Sequence, residues 1–297
     1  PGSEIMPSAL PERVTARVAE PLVLVGTPSA PGGPLGPERI DVSRAAFLIL
    51  GGLFKKVVVS SFLAAQIVDP VFGAPGAHSA LETLVAIYGY AIVIYTDFSG
   101  YTDIAIGVAL LLGFEFPVNF DRPYAAVSLR DFWHRWHITL SRWLRDYLYV
   151  PLGGSKRGEV RTAINVMITM LLGGLWHGAG WTFVAWGGLH GVGQGVGRWR
   201  RRRREQRGLP LEPASAAAVL RARVVTFHLI CLGWVFFRAG SIDRALDVLD
   251  RLVTGWAEPS TLVTPLVVAA IAGMLLLQNV PRTPAPMVLR TFSRLAP

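Results

Sequence analysis

Charged residues are scarce in this chain of 297 residues: they make up 16% of the sequence, whereas hydrophobic residues make up 52%. The mean hydropathy is +0.42. Soluble domains contain about 25% charged residues, so the scarcity argues against an ordinary soluble protein. It predicts an all-α, multi-pass helical membrane protein, because a helix satisfies its own backbone hydrogen bonds inside a bilayer.

Cysteine is nearly absent as well. Cys231 is the only one, so no intramolecular disulfide can form, and its apolar surroundings predict a buried structural thiol. A Gly-x-Ser-x-Gly elbow and a Walker-type phosphate loop are also missing, which disfavours covalent serine catalysis and nucleotide hydrolysis. His134 and His137 have the spacing of two metal ligands, but no suitable third ligand lies nearby in the sequence, so no metal site is predicted.

Long apolar runs are what the sequence does contain. Five of them approach or exceed the roughly 20 residues that a helix needs to cross a bilayer. They cover residues 45–68, 81–114, 160–197, 219–237 and 262–280. We therefore assign residues 41–281 to a membrane-embedded core. It is preceded by a peripheral Pro/Gly-rich segment, residues 1–40, with one short helix near 11–20, and followed by a C-terminal tail, residues 282–297.

The start of the chain and a cluster of arginines carry further signals. The chain opens with Pro1, without an initiator Met or a signal-peptide pattern, so we expect an N-terminally truncated sequence. Seven arginines follow the third apolar run directly, at 198, 200–204 and 207. Such enrichment marks the cytoplasmic end of a span and predicts a multi-pass protein of the cytoplasmic (inner) membrane, with the lipid bilayer as partner. Arg282, Arg290 and Arg294 are expected on the same side. No aromatic stacking motif accompanies the basic run, so nucleic-acid binding is not predicted.

Four charged residues lie well inside the first two apolar runs, away from their ends. Lys55 and Lys56 are predicted to reach an interface by snorkelling. Gly100 and its polar neighbours predict a break in the second helix. Irregular backbone at membrane depth requires protein or water around it, so Asp97 and Asp103 should face the protein interior. Helix capping and catalysis are both open roles for Asp103.

One helix with two distinct faces is predicted over residues 128–150. An aromatic stripe at i+3 and i+4 spacing contains Trp136, Leu140, Trp143 and Tyr147. A neighbouring polar stripe at i+4 spacing contains His137, Ser141 and Arg145. Ion pairs at i+4 are expected for Asp131 with Arg135 and for Arg142 with Asp146. Such a helix cannot face lipid on all sides, so it either lies at the interface or lines a wet cavity.

Two histidine motifs point to chemistry inside the bilayer. They read DFWHRWH at 131–137 and GGLWHGA at 173–179. Histidine titrates near neutrality, and burial keeps its ring neutral and available as a base. His137 shares its face with the polar stripe, which favours a functional role. For His177, a packed core histidine and a catalytic base are both open readings. His134 and His190 are interpreted as structural or interfacial.

Eight short motifs follow one another between about residue 51 and residue 238. They are GLFKK at 52–56, DFSGYTD at 97–103, NFDRPY at 119–124, DFWHRWH at 131–137, WLRDYLY at 143–149, PLGG at 151–154, GLWHG at 174–178 and WVFFR at 234–238. In this order they resemble the membrane-bound O-acyltransferase family. The most similar branch is the bacterial one of alginate O-acetylation and teichoic-acid D-alanylation proteins.

The resemblance implies a function and a site. Family members transfer an acyl group from a thioester donor to a hydroxyl through a funnel or tunnel between helices, and the family's two histidines fall on His177 and His137. We expect an O-acetyltransferase acting on an extracytoplasmic polysaccharide, with His177 as general base, acetyl-CoA as donor and no tightly bound cofactor. The candidate substrate-binding residues are Trp136, Ser141, Arg145, Asp146 and Trp176.

Three alternatives remain at this stage. The acetyl group can pass directly to the polysaccharide or through an extracytoplasmic, esterase-like partner acyltransferase. The transferred group can instead be D-alanine, with teichoic acid as acceptor. Finally, the protein can be a membrane conduit or scaffold that carries an acyl group without catalysing its transfer.

Overall fold

A computed structural model describes residues 40–280, and this part of the chain is helical with no β-strand, which confirms the all-α prediction. Its main helices are α1 (Val42–Gly73), α2 (Ala80–Leu111), α3 (Leu129–Arg135), α4 (Ile138–Leu144), α5 (Glu159–His177), α6 (Trp181–Gln206), α7 (Ala216–Ala239), α8 (Ile242–Thr254) and α9 (Pro265–Leu277). The predictions for residues 1–39, for Arg282, Arg290 and Arg294, and for the C-terminal tail lie outside the described residues.

Three of these helices, α1, α2 and α7, are long and apolar enough to cross a membrane. They coincide with the first, second and fourth apolar runs. The last run forms α9, which has 13 residues. At a rise of 1.5 Å per residue, a helix of that length is shorter than the roughly 30 Å thickness of a bilayer core.

The third apolar run, residues 160–197, is not one span but a hairpin of two antiparallel helices, α5 and α6. The chain turns at Gly178, whose backbone leaves the helical conformation. Glycines let the two helices approach closely: a Cβ at Gly174 would lie 2.3 Å from the carbonyl oxygen of Phe183. At the far end of the hairpin, Arg198 donates two hydrogen bonds of 3.0 Å to Glu159. The apolar composition of the run does not reveal this turn.

Helix α2 continues without interruption through Gly100, so the break predicted there is wrong. The glycine serves helix packing instead. A Cβ at Gly100 would lie 2.6 Å from the carbonyl oxygen of Gly52, and a Cβ at Gly52 would lie equally close to the carbonyl oxygen of Gly100. The two glycines therefore let the backbones of α1 and α2 approach one another, as small residues do at helix interfaces in membranes.

Two ion pairs cross the same interface. Lys55 of α1 binds Asp103 of α2, and Lys56 binds Asp97. Each lysine thus pairs with a carboxylate on the neighbouring helix, and its snorkelling to an interface stays a prediction. Both aspartates contact α1, but the side chains of Asp97 and Asp103 are 50% and 30% exposed, so their interior position stays a prediction. The capping role considered for Asp103 is wrong, since its carboxylate accepts a hydrogen bond from Lys55 in the middle of α2.

The single helix expected over residues 128–150 is divided into α3 and α4. Trp136 is extended and His137 has a left-handed backbone, with φ of +42°. The preceding loop holds the break open: Asp121 N–H donates to the carbonyl of Arg135 at 2.9 Å, and Ile138 N–H donates to that of Asn119 at 3.0 Å. These bonds replace helical ones that a continuous helix would make.

The two ion pairs predicted for this region differ in outcome. Asp131 accepts a hydrogen bond of 2.8 Å from Arg135, as predicted. Asp146, the predicted partner of Arg142, pairs with Arg145 instead. The guanidinium of Arg145 reaches both carboxylate oxygens of Asp146, at 2.7 and 3.1 Å.

An aromatic core joins α3, α6 and α7. Trp186 and Trp234 are both almost fully buried and stack with ring centroids 6.0 Å apart, and Trp136 lies 5.1 Å from Trp234. Cys231 is 3% exposed, which confirms the buried thiol. Large buried rings fix the relative positions of these helices, and the candidate site lies beside them.

Candidate active site

A cavity of about 310 Å³ lies where the α3–α4 break and the α5–α6 turn face α2 and α7. We call it the histidine cavity. Its described lining consists of Ile94, Asp97, Phe98, Trp136, His137, Trp176, His177, Trp186, Trp234 and Phe237. Both histidines that the sequence singled out are in this lining, although they are 40 positions apart in the chain and belong to different motifs. The walls are predominantly aromatic, with a few polar groups, as is usual in ligand pockets.

His137 is held in one tautomer by the loop that precedes it. Its Nδ1 lies 3.3 Å from Oδ1 of Asn119, and the same oxygen accepts hydrogen bonds from the backbone N–H and hydroxyl of Thr139, at 3.2 and 3.0 Å. A backbone N–H can only donate, so the atom facing it must be the amide oxygen. The Nδ1 of His137 therefore carries the proton in the neutral ring, and its Nε2 has a free lone pair.

His177 ends α5, and aromatic packing alone sets its orientation. Its ring lies 4.9 Å from Phe237 and 5.4 Å from Trp186, edge-on to both, and 6.3 Å from Phe183 in a stacked arrangement. Its nitrogens make no hydrogen bond to any residue in the described part of the chain. Gly178 gives the ring of Phe183 its space, because a Cβ at that position would lie 2.7 Å from it. An imidazole in such a place is free to bind a reactant.

Burial favours the neutral form of both rings, which lie outside the candidate spanning helices. Burial lowers the pKa of His137 to about 4, and the nearby His177 contributes to this shift. The pKa of His177 is likewise lowered by burial. Both rings are therefore uncharged near neutral pH, the state in which an imidazole nitrogen can accept a proton.

Asp97 is a residue of the cavity that sequence reasoning did not include among the site residues. It is the only acid in the described lining, and its Oδ1 accepts a hydrogen bond from Lys56. The sequence did predict that it faces protein, but spacing could not show that it shares a cavity with the two histidines. Trp186, Trp234 and Phe237 were missed as well. The WVFFR motif, which contains two of these aromatic residues, was the available signal.

The proposed substrate-binding residues divide into two groups. Trp136 and Trp176 line the histidine cavity. Ser141, Arg145 and Asp146 do not: the Ser141 hydroxyl donates to the carbonyl of Trp136 at 3.1 Å, and the other two form an exposed ion pair. Their role in substrate binding stays a prediction.

The other two histidines lie elsewhere. His134 is exposed on α3. His190 is 1% exposed, and its Nδ1 accepts a hydrogen bond from the indole N–H of Trp133 at 3.2 Å. Within residues 40–280, no group of three or more His, Cys, Asp or Glu residues is arranged to hold a metal ion.

Comparison with known proteins identifies the family of this chain. A family model of the membrane-bound O-acyltransferases matches residues 76–243, more than half of the chain. A peptidoglycan O-acetyltransferase of Helicobacter pylori is 40% identical over 72% of this chain and 39% of its own length. A probable alginate O-acetylase, AlgI, of Azotobacter vinelandii is 38% identical over 79% of this chain and 48% of its own length.

A more distant relative is a teichoic acid D-alanyltransferase of Streptococcus thermophilus, which is 29% identical over 64% of this chain and 50% of its own length. The chain thus spans half or less of the length of these curated relatives. The matched region contains both histidine motifs, the aromatic walls of the cavity and Asp97. This chain belongs to the membrane-bound O-acyltransferase family.

Proposed function

We propose that this protein is a membrane O-acetyltransferase that moves an acetyl group from a thioester donor to hydroxyls of an extracytoplasmic polysaccharide. One observation carries the proposal: the folding of two separate motifs brings His137 and His177 to one aromatic cavity. Two relatives named for O-acetylation, at 40 and 38% identity, support acetyl transfer over D-alanyl transfer, whose named relative is 29% identical.

His177 is the proposed general base. Its nitrogen removes the proton of the incoming hydroxyl while the hydroxyl oxygen attacks the thioester carbonyl carbon. The carbon–sulfur bond then breaks, the thiolate leaves and takes up the proton from the imidazolium, and an ester is formed. A positioned base contributes about 10²- to 10⁴-fold to a rate. The lowered pKa of His177 supports this role because the ring enters the reaction unprotonated.

His137 is proposed to orient the acceptor hydroxyl. In the neutral ring the proton is on Nδ1, which donates a hydrogen bond to the amide oxygen of Asn119. Nε2 can therefore accept a hydrogen bond but cannot donate one. Polarising the thioester carbonyl would require a donor. The tautomer therefore favours an interaction with the hydroxyl over an interaction with the carbonyl.

The donor, the location and the partner are further parts of the proposal. Acetyl-CoA is the proposed donor, presented from the cytoplasmic side of the inner membrane, where the arginines at the C-terminal end of α6 would lie under the positive-inside rule. The cavity is compatible with direct transfer to the polysaccharide. It is equally compatible with a relay through an extracytoplasmic partner acyltransferase, since both acceptors offer a hydroxyl.

The test is mass spectrometry of the envelope glycan in a strain that lacks the gene. Complementation with the full-length wild-type gene should restore acetyl groups, whereas His177→Ala and His177→Gln should not, since neither side chain can accept the proton. His134→Ala is the matched control, because this histidine is exposed outside the cavity. Membrane abundance must be equal in all strains. Normal acetylation by a well-expressed His177→Ala protein would overturn the proposal.

A further inference from the structure

The carboxylate of Asp97 is a polar feature of the histidine cavity that the proposed mechanism does not use. It lies in the middle of α2, among aromatic walls that include Phe98 and Trp136. The side chain of Asp97 is 50% exposed, so it reaches the open space of the cavity. An ionisable side chain within a candidate spanning helix is costly to maintain and commonly has a functional role.

Lys56 pairs with this carboxylate and fixes its position. Its ammonium donates to Oδ1, whereas Oδ2 of Asp97 makes no hydrogen bond within residues 40–280. One oxygen is thus engaged with the protein, and the other is available to a ligand.

The chemistry of an ionised carboxylate selects one of the two reactants. It can only accept hydrogen bonds, so it recognises donors. The acetyl thioester group presents a carbonyl oxygen and a sulfur, which are acceptors, whereas a polyhydroxylated acceptor presents several O–H donors. Hydrogen bonds to a charged group are roughly twice as strong as neutral ones. A site that offers such a bond discriminates against ligands that lack the hydroxyl.

We propose that Asp97 is an acceptor-binding residue, which holds a second hydroxyl of a sugar while the reacting hydroxyl lies at His177 and His137. The flat aromatic walls of the cavity suit the apolar faces of a sugar ring. This inference rests on the proposed function, because it assigns the acceptor subsite of the same cavity. It makes Asp97 a determinant of acceptor affinity and not of donor use.

The same helix interface supplies a matched control. Lys55 and Asp103 form an equivalent pair between α1 and α2, but neither residue belongs to the described lining of the cavity. Removal of one member of either pair would leave a charge without its partner, which is strongly destabilising in a buried setting. Both members are therefore removed together, in Lys56→Met/Asp97→Ala and in Lys55→Met/Asp103→Ala. Alanine removes the carboxylate without filling the cavity.

The experiment uses membrane vesicles from the deletion strain, complemented with the full-length wild type or with either double variant, so that any partner protein is present. The probe is unacetylated glycan isolated from the same deletion strain, titrated at saturating labelled acetyl-CoA. We expect Lys56→Met/Asp97→Ala to raise the half-saturating glycan concentration at least tenfold and to keep the maximum rate within about threefold of wild type. Lys55→Met/Asp103→Ala should leave the half-saturating concentration unchanged at equal membrane abundance.

The possible outcomes separate this inference from the proposed function. An unchanged half-saturating concentration in Lys56→Met/Asp97→Ala overturns the assignment of Asp97, as does a lower maximum rate without a change in affinity. Equal loss of affinity in both double variants would assign the effect to the α1–α2 interface and would also overturn it. Absence of acetyl transfer by the wild type would instead overturn the proposed function.

Discussion

The close packing of the α5–α6 hairpin makes one glycine far less replaceable than its neighbour. A Cβ at Gly187 would lie 2.4 Å from the carbonyl oxygen of Met170, a backbone atom that cannot rotate away. A Cβ at Gly188 would meet a side-chain carbon of Leu171 at 3.9 Å, an ordinary contact. Gly187→Ala must therefore push the two helices apart, while Gly188→Ala needs no movement.

The two substitutions share every other effect, so their difference isolates the packing cost. Alanine is about 1 kcal/mol more favourable than glycine inside a helix, and both variants gain this amount. Overpacking costs about 1–3 kcal/mol, and only Gly187→Ala incurs it. At roughly 2–4 °C per kcal/mol, Gly187→Ala should unfold about 2–12 °C below Gly188→Ala.

Thermal unfolding of the detergent-solubilised full-length protein measures this difference. Acyl transfer should also fall in Gly187→Ala and not in Gly188→Ala, because His177 lies at the turn of the same hairpin and Trp186, beside Gly187, lines the cavity. Equal melting temperatures for the two variants would refute the close approach of α5 and α6 on which the site geometry depends.

Three other outcomes concern residues that brace the site or the membrane core. Glu82→Gln should lower the melting temperature, since the buried carboxylate accepts hydrogen bonds from the backbone N–H of Thr261 and Leu262 at 2.6 and 2.8 Å; an unchanged melting curve would contradict this. Asn119→Ala should reduce acyl transfer at constant membrane abundance because it releases the His137 tautomer, and Asn119→Asp, which keeps an acceptor oxygen, should retain more activity in the same assay. Burial lowers the pKa of His137 from 6.5 to about 4. Between these two pH values the unfolded state binds more protons than the folded state, so the free energy of unfolding should fall as the pH falls through this range. His137→Gln should weaken that dependence in melting curves recorded from pH 7 to pH 4, and an identical dependence would argue against a buried neutral ring.

The membrane core was predictable because its signal is local. Uniform apolar composition over enough residues defines a spanning helix whatever the rest of the chain does, and α1, α2 and α7 follow the predicted runs. The histidine motifs were equally visible, since ionisable groups contrast with apolar surroundings. Both kinds of evidence are contained in a few tens of consecutive residues.

The parts that failed depend on contacts between distant residues. Periodicity indicated one helix through His137, but the Asn119 carbonyl accepts a hydrogen bond from Ile138 and the Asp121 N–H donates one to Arg135, and these bonds end α3 and start α4 there. Gly100 suggested a helix break, yet its lack of a side chain serves the approach of α1. Composition cannot tell a glycine that ends a helix from one that allows helices to pack, because the distinction lies in the partner.

The central claim is that the histidine cavity catalyses acyl transfer and does not merely conduct an acyl group. Turnover of acetyl-CoA by the reconstituted full-length protein with its partner tests this most directly, comparing wild type, His137→Ala and His177→Ala. We predict that His177→Ala lowers turnover about 10²- to 10⁴-fold, the usual contribution of a general base, and that His137→Ala lowers it while leaving donor binding intact. Equal rates in all three proteins would contradict the claim and favour a conduit or scaffold.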